Sequence, residues 1–200
     1  MEGIVNFPAF VLASTLLILS PGPGTLAILG AATGSRRAGF EALAGTSTGD
    51  AILMAVTAAG AASLLHGHPV AFSVLRYGGG AYLAWLGLQA LRSREPSLAV
   101  SAPAAGSAFQ RSLWVTLLNP KAIVFFMAFF PQFTTPQAGA TSFALLGAAF
   151  VAMNCLYQAA LISGANWVIG HLAQAPHWAL WINRVLGLAF LGFGVRLVLG

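Results

Sequence analysis

Ser20-Pro21-Gly22-Pro23-Gly24-Thr25 interrupts the first long apolar run of this chain, and Asn119-Pro120-Lys121 interrupts another about half a chain later. Proline removes a backbone donor and clashes with the preceding helical turn, and glycine unwinds at little steric cost. In lipid, a broken helix leaves unpaired N–H and C=O groups, which are tolerated only around a cavity or a binding site. Broken helices at matching places in two halves of a membrane chain are typical of a transporter whose central site lies between them.

The composition is that of a membrane protein. Hydrophobic residues make up 58% of the 200 residues and charged residues only 6%, whereas a soluble domain carries about 25% charged residues. The net charge of +5 does not indicate a nucleic-acid partner, because the arginines lie at the ends of apolar segments, where they report membrane orientation. A single cysteine, Cys155, excludes an internal disulfide, and no paired Cys/His motif indicates a metal site. The first apolar run lacks the basic flank and cleavage site of a signal peptide and is expected to be a retained helix.

Six segments have the roughly 20 apolar residues that a membrane span needs. They cover residues 5–33, 39–65, 69–91, 112–133, 140–168 and 178–199. The small, polar, proline-containing stretch between Arg92 and Arg111 predicts a flexible loop. We therefore expect an all-α integral membrane protein with one transmembrane domain over residues 1–200. Its six helices form two repeats, residues 1–91 and 112–200, joined by a loop at 92–111, and the first and fourth helices are broken.

Arginine placement predicts how the chain is oriented. The odd-numbered connections hold basic residues, and the second and fourth connections (HGHP and TTPQAG) hold none. The positive-inside rule then places the odd connections, including the 92–111 loop, in the cytoplasm and both termini outside. The basic residues concerned are Arg36, Arg37, Arg92, Arg94, Arg111 and Arg184.

Three helices in each half give the halves opposite topologies, so any repeat must be inverted. RYGGGAYLAW from Arg76 parallels RVLGLAFLGF from Arg184. Pro21 pairs with Pro120 at a similar offset, and Asp50 pairs with Asn154. Three pairings in chain order favour an inverted repeat.

Asp50, near the middle of the second helix, is the only acid deep inside an expected span, since Glu41 lies at the edge of the same segment. A charged side chain at mid-bilayer costs about 2.5–3.5 kcal/mol on insertion scales, so such residues usually face a cavity or a partner. Asp50 is therefore expected to carry a proton or to contact a substrate amine. The alternative is a structural ion pair with Lys121 or Arg76.

Other polar residues of the spans extend this candidate site. Thr46 lies one helical turn before Asp50, and Gly45 and Gly49 beside it are expected to allow close helix packing. Lys121 could neutralise a substrate carboxylate, hold Asp50 ionised, or snorkel to the cytoplasmic side. The remaining candidates add hydrogen-bonding capacity or freed backbone groups, although such side chains also bond neighbouring helices. They are Pro21, Gly22, Pro23, Gly24, Thr25, Asn119, Pro120, Asn154 and Gln158.

Four motifs resemble those of the LysE/RhtB-type amino-acid exporters over essentially the whole chain. They are SPGPGTLAIL at 20–29, RRAGFEALAGTSTGD at 36–50, LRYGGGAYLAWLGLQALR at 75–92 and LLNPKAIVFFMAFFPQF at 117–133. The resemblance implies a secondary transporter in the bacterial inner membrane that exports amino acids or related small metabolites, driven by the proton gradient. Similar proteins often carry Asp or Asn after the PGP motif, where this chain has Gly24.

The expected function is therefore amino-acid export by proton antiport, without a cofactor and without enzymatic activity. The substrate carboxylate is expected at freed N–H groups of residues 21–25, and its ammonium group at Asp50 and freed carbonyls. A metal-cation exporter would need several carboxylates or soft ligands in the spans. A membrane thiol–disulfide enzyme would need paired cysteines, and a purely structural scaffold would not explain the helix breaks.

Overall fold

The computed structural model describes residues 3–67, 69–93, 106–135, 140–165 and 176–199. Within these ranges the chain forms eight α-helices and no strand. The helices are α1 (Phe7–Leu19), α2 (Pro23–Gly34), α3 (Arg36–Gly67), α4 (Pro69–Arg92), α5 (Ala108–Leu117), α6 (Pro120–Val124), α7 (Ala140–Ser163) and α8 (Pro176–Leu199). After α6 the chain continues as a π-helical turn, Phe125–Phe129, and a 3₁₀ turn, Phe130–Phe133. The expectation of an all-helical protein is confirmed for these ranges.

Both proline motifs break a helix, and they do so in the same way. Ser20 and Asn119 each precede a proline and are extended, with ψ of 111° and 109°, because a following proline disfavours the helical region. A new helix then starts with a proline in its first turn, at Pro23 and at Pro120, where the missing N–H costs nothing. The two bends measure 51° and 53°.

Length and composition make α3, over Arg36–Gly60, and α7 each able to cross a membrane unaided. The bent pair α1–α2 also qualifies, as does α5 taken with Pro120–Phe133. The third and sixth expected spans correspond to α4 and α8, which have 24 residues each. The last residues of the fifth expected span, 166–168, lie outside the described residues, as does most of the 92–111 loop.

Helix α5 begins before the expected end of that loop. The Ser107 hydroxyl accepts a hydrogen bond from the Gln110 N–H at 3.4 Å and caps the helix. Residues 108–111 are therefore helical, although the sequence predicted a loop up to Arg111. A serine in this position satisfies one of the N–H groups that a helix leaves unpaired at its start.

Phenylalanine rings join the first half of the chain to the second. Phe10 on α1 packs edge-on against Phe130 and Phe133, with ring centroids 5.5 and 5.3 Å apart. Next to these rings, the Val5 N–H donates to the Phe133 carbonyl at 2.8 Å, and the Thr135 N–H donates to the Gly3 carbonyl at 2.9 Å. The start of the first broken helix and the end of the second are thus held side by side.

Glycines bring α4 and α8 into backbone contact. A methyl group on Gly87 would lie 2.7 Å from the Gly187 carbonyl oxygen, and one on Gly187 would lie 2.8 Å from the Gly87 carbonyl oxygen. Seven residues away, a methyl group on Gly194 would lie 2.7 Å from the Gly80 carbonyl oxygen. Since residue numbers rise along one helix as they fall along the other, α4 and α8 run antiparallel.

Candidate functional site

A cavity of about 70 Å³ lies between the two helix breaks. Four structural elements surround it: the break between α1 and α2, the break between α5 and α6, and the helices α3 and α7. Its lining residues are Leu17, Ile18, Ser20, Gly22, Gly24, Thr25, Thr46, Asp50, Thr116, Asn119, Lys121, Ala122, Phe150, Asn154 and Gln158. The bends in the two broken helices thus leave a space between them.

The structure brings most of the predicted site residues together at this cavity. Nine line it: Gly22, Gly24, Thr25, Thr46, Asp50, Asn119, Lys121, Asn154 and Gln158. Pro21, Pro23 and Pro120 do not contribute to its wall. The prolines shape the breaks, and their neighbours supply the surface. The roles of all twelve residues in binding or proton coupling stay predictions.

The first break exposes the start of α2. Gly22 is the N-cap and adopts an extended conformation, with φ of −138° and ψ of 177°. No side chain caps this end of the 12-residue helix, so its first N–H groups lack the partner that a serine or aspartate would provide. Gly24 and Thr25, at the second and third helical positions, line the cavity. The positive end of the α2 dipole therefore faces it.

The second break is capped by its own side chain. The Asn119 side-chain oxygen accepts a hydrogen bond from the Lys121 N–H at 3.0 Å. Asn119 was predicted to bind substrate, but this oxygen serves α6 as an N-cap. The two breaks are therefore alike in backbone geometry and unlike in the groups that they leave unpaired.

A chain of buried polar side chains connects α3, α7 and α2. The Asn154 amide donates to the Asp50 carboxylate at 3.1 Å, and the Gln158 amide donates to the Thr25 hydroxyl at 3.2 Å. The Gln158 amide also lies 3.5 Å from the Asn154 side-chain oxygen. Asp50 is only 5% exposed. Its carboxylate is thus held by an amide from the opposite half of the chain.

The ion-pair alternative for Asp50 is not supported. Among the described side chains, no ion pair within 4.0 Å joins Asp50 to Lys121; the pair that is seen joins Arg37 to Glu41 on the surface of α3. The Arg76 side chain lies outside the described residues. Lys121 instead donates from Nζ to the Ser20 carbonyl oxygen at 2.7 Å.

Three polar atoms beside the cavity are buried and have no hydrogen-bond partner: Thr46 Oγ1, Thr116 Oγ1 and Gln158 Oε1. Leaving such a group unsatisfied costs about 1–3 kcal/mol. A methyl group on Gly24 would lie 3.7 Å from Thr46 Cγ2 and 3.9 Å from Thr116 Oγ1. Gly24 therefore lies between the two threonines, at the position where the sequence resemblance implied an Asp or Asn. Unpaired hydrogen-bonding capacity is concentrated on this side of the cavity.

Thr116 is the polar wall residue that the sequence reasoning missed. It lies one helical turn before Asn119, and this i,i+3 spacing is a signal that could have indicated it. The expected close packing at Gly45 and Gly49 explains its position. A methyl group on Gly49 would lie 2.8 Å from Thr116 Cβ, and one on Gly45 would overlap the Phe109 carbonyl. Small residues on α3 thus let α5 bring Thr116 to the site.

Curated relatives match almost the whole length of this chain. The leucine efflux protein of Enterobacter sp. strain 638 is 36% identical over 98% of this chain and 96% of its own length. The leucine efflux proteins of Klebsiella pneumoniae and Salmonella typhimurium are 36% and 34% identical over 98% of this chain and 95% of theirs. No solved structure matches the chain.

The family comparison agrees with these relatives. The family model described as LysE type translocator matches residues 15–200. Together with the apolar helices, membership implies a multi-pass membrane protein, and the resemblance read from the sequence motifs is confirmed. The chain belongs to the LysE type translocator family.

Proposed function

We propose that this protein exports neutral amino acids of the leucine class from the bacterial cytoplasm, in exchange for protons. The observation that carries the proposal is that three kinds of group line one cavity: the Asp50 carboxylate, the uncapped start of α2, and an apolar wall. An α-amino acid has the matching three parts, an ammonium group, a carboxylate and a side chain. The relatives named as leucine efflux proteins support this substrate class.

The substrate is oriented by the two polar ends of the cavity. Its carboxylate binds the free N–H groups at the start of α2, near Gly24 and Thr25, where the helix dipole favours negative charge. Its ammonium group binds Asp50 together with the freed carbonyl of Ser20, and Thr46 lies one turn from Asp50 on the same helix. The side chain then lies against the apolar residues Leu17, Ile18, Ala122 and Phe150.

Asp50 also couples export to the proton gradient. When its carboxyl group is protonated from the outer side, it no longer attracts an ammonium group, and the substrate is released. Asn154 on α7 donates to this carboxylate and holds Asp50 in place. A change in the charge of Asp50 therefore alters a hydrogen bond to the second half of the chain. In the absence of substrate, the protonated carrier returns to face the cytoplasm.

The carrier is built from six spans in two inverted repeats, in the bacterial inner membrane. Two observations support this arrangement. The contacts of Gly87 with Gly187 are reciprocal and antiparallel, as a two-fold axis between α4 and α8 would make them. Asp50 and Asn154, which correspond in the two halves, are joined by a hydrogen bond.

Reporter fusions test the orientation. Fusions near Gly67 and near Gln137 should report the outside, and fusions near Arg94 the cytoplasm, because basic residues are concentrated in the odd connections. The pairing of residues 3–5 with 133–135 supports a common side for the N-terminus and the fourth connection. A cytoplasmic signal at Gln137 would contradict the six-span topology.

Transport by the purified full-length protein tests the function. Proteoliposomes loaded with labelled leucine, isoleucine, valine, alanine, lysine or glutamate are placed under an imposed proton gradient. We expect the gradient to accelerate efflux of leucine, isoleucine and valine most, because the apolar wall favours uncharged side chains of this size. Lysine and glutamate should leave slowest, since their extra charge would be buried without a partner. The proposed function is refuted if no amino acid leaves the proteoliposomes faster than it leaves vesicles without protein. The proposed proton coupling is refuted if the rate of efflux does not change with the gradient.

A further inference from the structure

An ammonium group of the chain itself already occupies the end of α1. Lys121 Nζ donates to the Ser20 carbonyl oxygen at 2.7 Å, and Ser20 is the C-cap of α1. The last four carbonyls of a helix lack intrahelical partners and carry the negative end of the helix dipole. The break therefore presents a cation site, and the Lys121 side chain from the opposite half of the protein fills it.

The other surroundings of Lys121 provide no competing anion. Among the described side chains, no carboxylate lies within 4.0 Å of its Nζ atom. The ring of Phe190 on α8 lies below it, with Nζ 5.6 Å from the ring centroid, a favourable position for a cation. Nothing in these contacts fixes Lys121 to Asp50, so its charge is directed at the backbone of the first break.

This position lies within the cavity where the substrate would bind. Lys121 and Ser20 both line the cavity, and a methyl group on Gly22 would lie 3.4 Å from Lys121 Nζ. A lysine side chain and the ammonium end of an amino acid carry the same group, with one positive charge and three donors. Both cannot occupy the same carbonyl at the same time.

We propose that Lys121 is a tethered substitute for the substrate's ammonium group, bound at the Ser20 carbonyl when the carrier is empty and displaced when substrate binds. The proposal rests on the function proposed above and refines it. In the empty carrier, Lys121 keeps the freed carbonyl of the broken helix paired, and leaving this part-buried carbonyl unpaired would oppose the conformational change. Lys121 is therefore needed for the empty carrier to return, and it competes with substrate for binding.

Two transport modes separate these effects. Net efflux requires the empty carrier to return, whereas exchange of internal for external leucine does not. Lys121→Met removes the charge and the donor but keeps an unbranched side chain over Phe190. We expect its net efflux to fall by about tenfold or more, the value of one charge-assisted hydrogen bond, while exchange stays near the wild-type rate. Its apparent constant for leucine in exchange should be unchanged or lower, because the competitor is gone.

The measurement uses full-length wild-type and variant proteins in proteoliposomes, with labelled leucine inside and either leucine-free or leucine-containing medium outside. Lys121→Arg is the matched control, since it keeps a charged donor and should retain net efflux. Lys121→Gln serves as a second neutral variant if the methionine variant is not monodisperse in detergent.

The possible results are distinguishable. A raised constant for leucine, with exchange and net efflux reduced together, would mean that Lys121 binds the substrate carboxylate, and would overturn the proposal. Equal loss of both modes at an unchanged constant would show a purely structural role, and normal net efflux by both neutral variants would show no role; either result also overturns it. Failure of the wild-type protein to move any amino acid would instead refute the proposed function.

Discussion

Replacing Asp50 by Asn should abolish proton-driven export of leucine while leaving the protein folded and inserted. Asparagine has the same shape and keeps an oxygen that accepts the hydrogen bond from Asn154. It carries no charge and cannot take up a proton. Removing one partner of the buried pair proposed between Asp50 and the substrate's ammonium group costs about 3–5 kcal/mol, so we expect the rate of net efflux under a proton gradient to fall by about a hundredfold or more.

The matched control for this variant lies on the same helix. Glu41 is the other acid of α3, and it forms an exposed pair with Arg37 at 3.1 Å. Such surface pairs contribute about 0–1 kcal/mol, so Glu41→Gln should export normally.

Exchange of leucine for leucine, which moves no net proton, should survive better than net efflux in Asp50→Asn. Normal gradient-driven export by Asp50→Asn would show that Asp50 does not carry the coupling.

Enlarging Ala122 to leucine should obstruct the cavity and strongly reduce leucine transport. Ala122 is buried beside the second break, lines the cavity of about 70 Å³, and packs in the aromatic core. Adding three carbon atoms to a well-packed site costs about 1–3 kcal/mol, which corresponds to a rise in the apparent constant for leucine of about tenfold to a hundredfold. Smaller substrates such as alanine should be affected less, and Ala55→Leu, on an exposed face of α3, should transport normally.

The matching test at the first break is Gly22→Ala. A methyl group on Gly22 would lie 3.4 Å from Lys121 Nζ and 3.8 Å from its Cδ atom. The flexible end of the lysine can move, so Gly22→Ala should fold normally and raise the apparent constant for leucine only severalfold. The uptake of labelled leucine into everted vesicles, at a series of concentrations, measures both constants. Near-normal transport by both Gly22→Ala and Ala122→Leu, at normal expression, would move the site away from the broken helices.

Local chemistry made the two breaks predictable. Proline disfavours the helical conformation in the residue before it, so the sequence alone indicated the bends at Ser20 and Asn119. The correspondence of Asp50 with Asn154 in the two halves was also read from the sequence, whereas the hydrogen bond between them was not. These features depend on residues close in sequence or on the repeat, both of which can be read without coordinates.

What the sequence could not provide depends on how the two halves pack against each other. The bond from Lys121 to the Ser20 carbonyl joins residues 101 positions apart, and no periodicity predicts it. From the sequence, the expected partner of Lys121 was Asp50 or a substrate carboxylate. Charged groups can be read from a sequence, whereas the backbone carbonyl that Lys121 reaches depends on how the halves pack. The capping role of Asn119 was predictable in principle, since asparagine is among the preferred N-cap residues.

The glycine contacts between α4 and α8 determine which parts of the carrier can move. At Gly80, Gly87, Gly187 and Gly194 the two backbones approach each other directly, which leaves little room for one helix to slide over the other. We therefore expect these two helices to move together as one rigid unit. Conformational change is then expected at the proline bends, where a few residues outside the helices can absorb the change in backbone angles. On this basis we predict that the cavity would open by bending of α1–α2 and α5–α6 relative to α4 and α8, with the hinges at Ser20 and Asn119.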